Sequence, residues 1–152
     1  MASHRFTISS PLTTDEAFTR LVDLERVSEW DDGVRNSVRI DSADAQLADS
    51  PVGHRFDVTV TGFDGSPTSV VYEITEADPP LRFVMVGENS DFRATDTLEL
   101  APTEDGCLLT YDAELVLLGE NPPLTPPQLD TMFPKLAAVA EAGLVRFLDA
   151  TP

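Results

Sequence analysis

The sequence predicts an α+β fold, a curved antiparallel sheet of seven strands wrapped around one long C-terminal helix, with two short helices between strands 1 and 2. Three observations carry this expectation. Apolar residues recur at every second position in consecutive runs from Val34 to Leu118. Turn-forming residues alone separate most of those runs, which implies antiparallel neighbours in a meander. After Leu118 the period becomes helical and holds to about Leu148.

The elements follow in order. "HRFTISSP" places Phe6 and Ile8 two apart, as a half-buried strand does. Thr13 is suited to cap a helix, with Glu16 three residues on to complete a capping box, and Ala17, Phe18, Leu21 and Val22 recur at helical spacing. "ERVSEW" reads as a second, short helix stopped by Gly33. The strand runs alternate Val34, Asn36, Val38 and Ile40; then Phe56, Val58 and Val60; then Val70, Tyr72 and Ile74. Leu81, Phe83 and Met85 follow, then Phe92, Ala94, Asp96, Leu98 and Leu100, then Leu109, Tyr111, Ala113, Leu115 and Leu117. Asp64-Gly65, Asp78-Pro79-Pro80, Glu88-Asn89-Ser90 and Asp105-Gly106 mark the turns. In the last segment Leu129, Met132, Leu136, Ala140, Gly143 and Phe147 share one face. Pro134 lacks an amide hydrogen, so the regular helix is expected to start or kink near Phe133. A curved sheet does not close fully on one helix, which leaves room for a cavity between them.

Residues 1–152 are read as one domain. Charge is the outlying property: 27 acids against 10 bases give a net charge of −17, and Lys135 is the only lysine. Such a surface repels phosphate backbones and anionic lipid, which argues against nucleic acid and membrane surfaces as partners. No apolar run has the roughly 20 residues of a membrane span, and the first residues do not read as a signal peptide. Cys107 is alone, so no internal disulfide forms, and a reduced cytoplasmic setting is expected. A homodimer is left open.

Chemical motifs are sparse. His4 and His54 are the only histidines, no spacing suits zinc, and Asp31-Asp32-Gly33 lacks the alternating ligands of a calcium loop; no metal or cofactor is expected. There is no nucleophile elbow and no phosphate-cradling glycine loop. His54 reads as a surface residue at a strand start, and Cys107 has no basic neighbour in sequence to activate it. What remains is polar residues in inward strand registers: Asn36, Tyr72, Asp96 and Tyr111. An inward Asp96 requires a raised pKa, water or a donor such as Tyr72 or Tyr111, and is then a candidate acid/base group. The simpler reading is a bulge near "NSDFRATD" that turns it to solvent. For the tyrosines, packing with a satisfied hydroxyl is the simpler reading, and for Asn36 a hydrogen bond near the strand start. Phe56, Val58, Phe83, Met85, Met132, Leu136 and Ala140 either fill a core or line an apolar chamber. The small residues Ala137, Ala138, Ala140, Ala142 and Gly143 favour the chamber.

"SSPLTTDEAFTRLVDLERVSEWDDGV", "VGHRF", "YEITEADPPLRFVMVG", "LTYDAELVLLG" and the closing "AGLVRFL" together resemble the START-related (SRPBCC) superfamily of birch-pollen allergens and polyketide cyclases. Within it the chain looks most like the bacterial polyketide cyclase/dehydrase and lipid-transport group. The resemblance covers almost the whole chain and implies a helix-grip fold. It further implies that Trp30 ends the short second helix with its ring turned inward near the rim of a cavity, while Glu29, Asp31 and Asp32 stay in water. There the ring is a packing wedge or touches ligand directly. The implied function is binding of a small hydrophobic or aromatic molecule between sheet and helix, as a carrier or sensor. A cyclase/dehydratase-like enzyme is the alternative, although no catalytic set carries over residue by residue, since fold does not fix chemistry. A third class, relatives that bind a quinone or associate with a ribosome, is disfavoured in its ribosomal form by the acidity.

Overall fold

Short connections dictate the sheet, because a strand followed by a tight turn has nowhere to pair except beside its predecessor. The computed structural model describes residues 1–41 and 47–150. Its elements are β1 (Ala2–Ser10), α1 (Thr14–Val22), a 3₁₀ helix (Leu24–Glu29), β2 (Val34–Arg39), β3 (Arg55–Thr61), β4 (Pro67–Asp78), β5 (Arg82–Glu88), β6 (Phe92–Thr103), β7 (Gly106–Leu117) and α2 (Pro126–Phe147). They form a seven-stranded antiparallel sheet in the order β1-β7-β6-β5-β4-β3-β2. The concave face of this helix-grip fold holds the three helices. At the β6–β7 turn Gly106 has φ +155°, and a Cβ there would overlap the Ser10 carbonyl oxygen, so the close crossing of the two chain segments requires glycine.

The capping box of α1 forms as its sequence indicates: the Thr13 hydroxyl accepts from the Glu16 amide at 3.1 Å, and the Glu16 carboxylate accepts from the Thr13 amide at 3.2 Å. Ala17, Phe18, Leu21 and Val22 are its buried face.

Three local expectations are corrected. In β2 a register shift between Val34 and Asn36 adds one residue to the strand. One extra residue reverses inward and outward for everything after it. Ser37 is therefore buried, while Asn36, Val38 and Ile40 face outward and are exposed. His54 is buried rather than on the surface, with Nδ1 2.7 Å from Arg39 Nη2 and 3.0 Å from Asp41 Oδ2, because the chain leaving β2 folds over the start of β3. Leu81 belongs to the turn before β5 and is exposed.

The last helix also begins earlier than Phe133. Thr125 and Gln128 form a capping box, and Pro126 and Pro127 occupy the first turn, where a missing amide hydrogen breaks no bond. Pro134 is accommodated inside the helix, on its exposed side. The inward face is Leu129, Phe133, Ala137, Ala140, Gly143, Leu144 and Phe147. Phe133 and Ala137 thus replace Met132 and Leu136, which sit at the margin, half-buried and exposed respectively.

Candidate functional site

Each central strand sends successive inward residues along the groove between sheet and helices. Where α1 and the 3₁₀ helix cover the sheet, those residues are Phe56, Ile74, Phe83, Leu98 and Leu109, all almost fully buried. Phe18 of α1 meets Phe83 edge to face at 5.6 Å between centroids, so this end is filled. One or two positions along, the same strands present Val58, Tyr72, Met85, Ala94, Asp96 and Tyr111. Here the cover is α2, with Phe133, Leu136, Ala137 and Ala140. The two small alanines do not reach the sheet, and a cavity of about 190 Å³ remains. Thr61, Gly62, Phe63 and the exposed Leu136 also line it.

Two glycines set the geometry of the wall. A Cβ at Gly143 would overlap the Trp30 carbonyl oxygen, so α2 lies directly on the Trp30 backbone. A Cβ at Gly87 would overlap the ring of Tyr72, so that ring lies flat over bare β5 backbone. Trp30 is buried, lines the cavity, and meets Tyr111 edge to face at 6.2 Å. Its Nε1 is buried without a hydrogen-bond partner among the described residues. Phe6 stacks on the other side of Tyr111, with centroids 5.1 Å apart.

The polar groups converge on Asp96. β6 keeps a regular register against both β5 and β7, with Asp96 opposite Met85 and Ala113, so no bulge turns it outward. This corrects the expectation that it faces solvent. The Tyr111 hydroxyl donates to Asp96 Oδ2 at 2.6 Å. Burial pushes the Asp96 carboxyl up to about 7; the Tyr111 hydrogen bond opposes that rise, and the Asp31 charge adds to it. Burial raises both tyrosines, and the negative charge of Asp96 adds to the rise in each. The Tyr72 hydroxyl has no hydrogen-bond partner among the described residues, although the residue lines the cavity.

Asp31 is the group that sequence reasoning missed. Expected in water, it lines the cavity instead, with Oδ1 accepting the Gly33 amide at 2.9 Å. Burial raises its pKa, the Gly33 amide lowers it, and Asp32 raises it further. The only sequence signal is the Asp-x-Gly spacing of such a turn, which says nothing about burial.

Of the expected pocket residues, the structure therefore brings together Trp30, Val58, Tyr72, Met85, Tyr111, Leu136, Ala140 and the acid/base candidate Asp96. Phe56 and Phe83 belong to the filled end, Met132 is half-buried and does not line the cavity, and Asn36 faces outward. Val34, Val60, Phe63, Phe92, Ala113 and Leu115 complete much of the wall. Cys107 is fully buried and its thiol pKa is raised by that burial, the opposite of activation. No group of three or more metal-ligating side chains occurs among the described residues.

A family model described as "Polyketide cyclase / dehydrase and lipid transport" matches residues 1–150. A START superfamily protein from Mycobacterium smegmatis superposes with a TM-score of 0.74 at 10% identity, over 97% of this chain and 96% of that one. A protein of Thermus thermophilus gives 0.73 at 18% identity, over 97% and 94%. The di-domain ARO/CYC StfQ from the steffimycin biosynthetic pathway gives 0.71 at 17% identity, over 96% of this chain and 49% of that one. No curated protein matches the chain significantly.

Proposed function

Because the chain belongs to the polyketide cyclase/dehydrase and lipid-transport family, we propose that it holds a small, mostly apolar, ring-bearing molecule in the cavity under α2, as a carrier or sensor. The carrying observation is the cavity itself, about 190 Å³ and walled largely by apolar side chains. A dry apolar cavity of roughly 150 Å³ admits benzene, so this one suits one or two rings. Tyr72, Tyr111, Asp96 and Asp31 supply the few polar contacts that orient a ligand in an otherwise apolar site. No helix of the described residues is long and apolar enough to cross a membrane.

A second reading is favoured by one observation: Asp96 faces the cavity with a carboxyl pushed up to about 7 and a Tyr111 hydroxyl on it. A group that ionises near neutral pH is matched to taking and returning a proton, as a cyclase/dehydratase-like reaction on a ketone requires. In that reading Asp96 is the acid/base group and Tyr111 holds its orientation.

The neutral dye prodan separates the possibilities. Ala140→Phe fills the chamber from α2 and abolishes dye binding while the circular dichroism of the fold is kept. In a carrier, Asp96→Asn changes dye affinity by less than about threefold. In an enzyme, the same substitution removes turnover of a small poly-ketone with binding retained. Equal dye binding by wild type and Ala140→Phe, or binding by neither, rejects the cavity as the working site.

A further inference from the structure

The cavity reading leaves the charge of the ligand open, and the wall itself bears on it. Asp31 and Asp96 line the cavity, the exposed Glu114 borders it, and no arginine, lysine or histidine is among its lining residues. Neither Asp31 nor Asp96 makes an ion pair among the described residues, although eight arginine–carboxylate pairs form elsewhere among them. The Tyr111 ring that bonds Asp96 meets Trp30, the neighbour of Asp31 in sequence, and Tyr72 lines the same cavity.

A carboxylate in an apolar wall is stable only if a proton or a cation neutralises it. An asparagine would fill the same volume and bond the same tyrosine without that demand. Aromatic faces, for their part, attract positive charge by their quadrupole and offer nothing to an anion. Both wall components therefore favour a cation, and the net charge of −17 draws cations toward the mouth. One further polar group is left for the rest of the molecule, the Tyr72 hydroxyl, which has no hydrogen-bond partner among the described residues.

We infer that the cavity selects an organic cation, a protonated amine on a small ring-bearing body, with its ammonium placed between Asp96 and Asp31. The inference rests on the cavity reading above and adds the ligand's class to it. The ammonium donates to the Asp96 oxygen that Tyr111 leaves free, and to Asp31. The ring fills the apolar space below Ala137 and Ala140.

Three probes of nearly equal shape test this by calorimetry at pH 8 in 0.15 M sodium chloride, where long-range attraction is largely screened. They are phenethylamine, 2-phenylethanol and phenylacetate. The expected order is amine over alcohol over carboxylate, with the amine about tenfold or more tighter than the alcohol, as a charge-assisted hydrogen bond gives. Asp96→Asn and Asp31→Asn each reduce the amine-to-alcohol ratio, and together bring it near one. A wild-type ratio of one or less overturns the inference, and so does a ratio that survives in the double variant. If a variant fails to fold, the ranking on wild type decides alone, with Ala140→Phe as the control that amine binding occurs in the cavity. When none of the three displaces prodan that binds wild type and not Ala140→Phe, the charge inference fails and the cavity reading stands. When prodan does not distinguish those two proteins, both fall.

Discussion

The two ends of the groove are built from the same strands and differ in the helix that covers them. On β3, Phe56 lies at the closed end and Val58 at the hollow one; on β5 the pair is Phe83 and Met85, and on β6 it is Leu98 and Asp96. The strand periodicity does not change between the members of each pair. What changes is the cover: Phe18 and Leu21 press into the sheet at one end, whereas Ala137 and Ala140 stand back from it at the other. The lesson is that helix side-chain volume, not strand pattern, decides where this fold is core and where it is container.

The sharpest way to break that comparison is to shorten one side chain at each end. Phe18→Ala leaves a hole in a filled region and should cost about 3–5 kcal/mol in urea unfolding. Met85→Ala enlarges a space that already exists, and should fall at the low end for such changes, about 2 kcal/mol. Equal costs for the two would mean that the hollow end is as tightly packed as the filled one.

Titration makes the next contrast, since the hollow end alone holds acids. The folded Asp96 carboxyl, pushed up to about 7 by burial, lies above the roughly 3.9 of an unfolded aspartate. Between those values the folded state binds more protons than the unfolded one, so stability falls as pH rises and levels off above about 7. Asp96→Asn removes the ionisation. It should raise stability at pH 8 on the order of 2 kcal/mol, with the gain shrinking toward pH 4. Asp31, raised for the same first reason, contributes in the same direction. Unfolding curves at three pH values measure this, and a variant no more stable than wild type at pH 8 would show that water already relieves the carboxylate.

The smallest expected effect sharpens the wall itself. Gly87→Ala puts a methyl group where the Tyr72 ring lies, and the ring has room to move only toward the cavity. A stability loss of about 1 kcal/mol should accompany a severalfold drop in prodan affinity. Loss of stability with unchanged affinity would place the adjustment in the backbone of β5 instead.

Much of this was legible beforehand. Period-two runs placed β3 to β7, and Thr13 with Glu16 placed the start of α1. The failures have physical causes. A bulge in β2 is one extra residue with no composition of its own, so parity carried Asn36 to the wrong face. The inward face of α2 is offset by one residue because Phe133 outcompetes Met132 for the groove, and helical spacing alone fits both. Asp31 could not be placed because its burial depends on contacts far along the chain. Gly143 of α2 holds the Trp30 backbone, and Asp31 follows it into the wall. For Asp96 the period-two pattern allowed an inward register but the nearby turn made a bulge the simpler reading, and only the regular pairing of β6 on both sides places it inward.

The chain contains one tryptophan and two tyrosines, and all three line the cavity. Excitation absorbed by Tyr111 has an indole acceptor 6.2 Å away, edge-on. The residues that emit in the near ultraviolet therefore all stand at the wall of this cavity. A molecule entering there changes the colour and lifetime of that light without any label. Occupancy of the purified protein is thus readable at high dilution, in single droplets and on the millisecond scale of a mixing experiment.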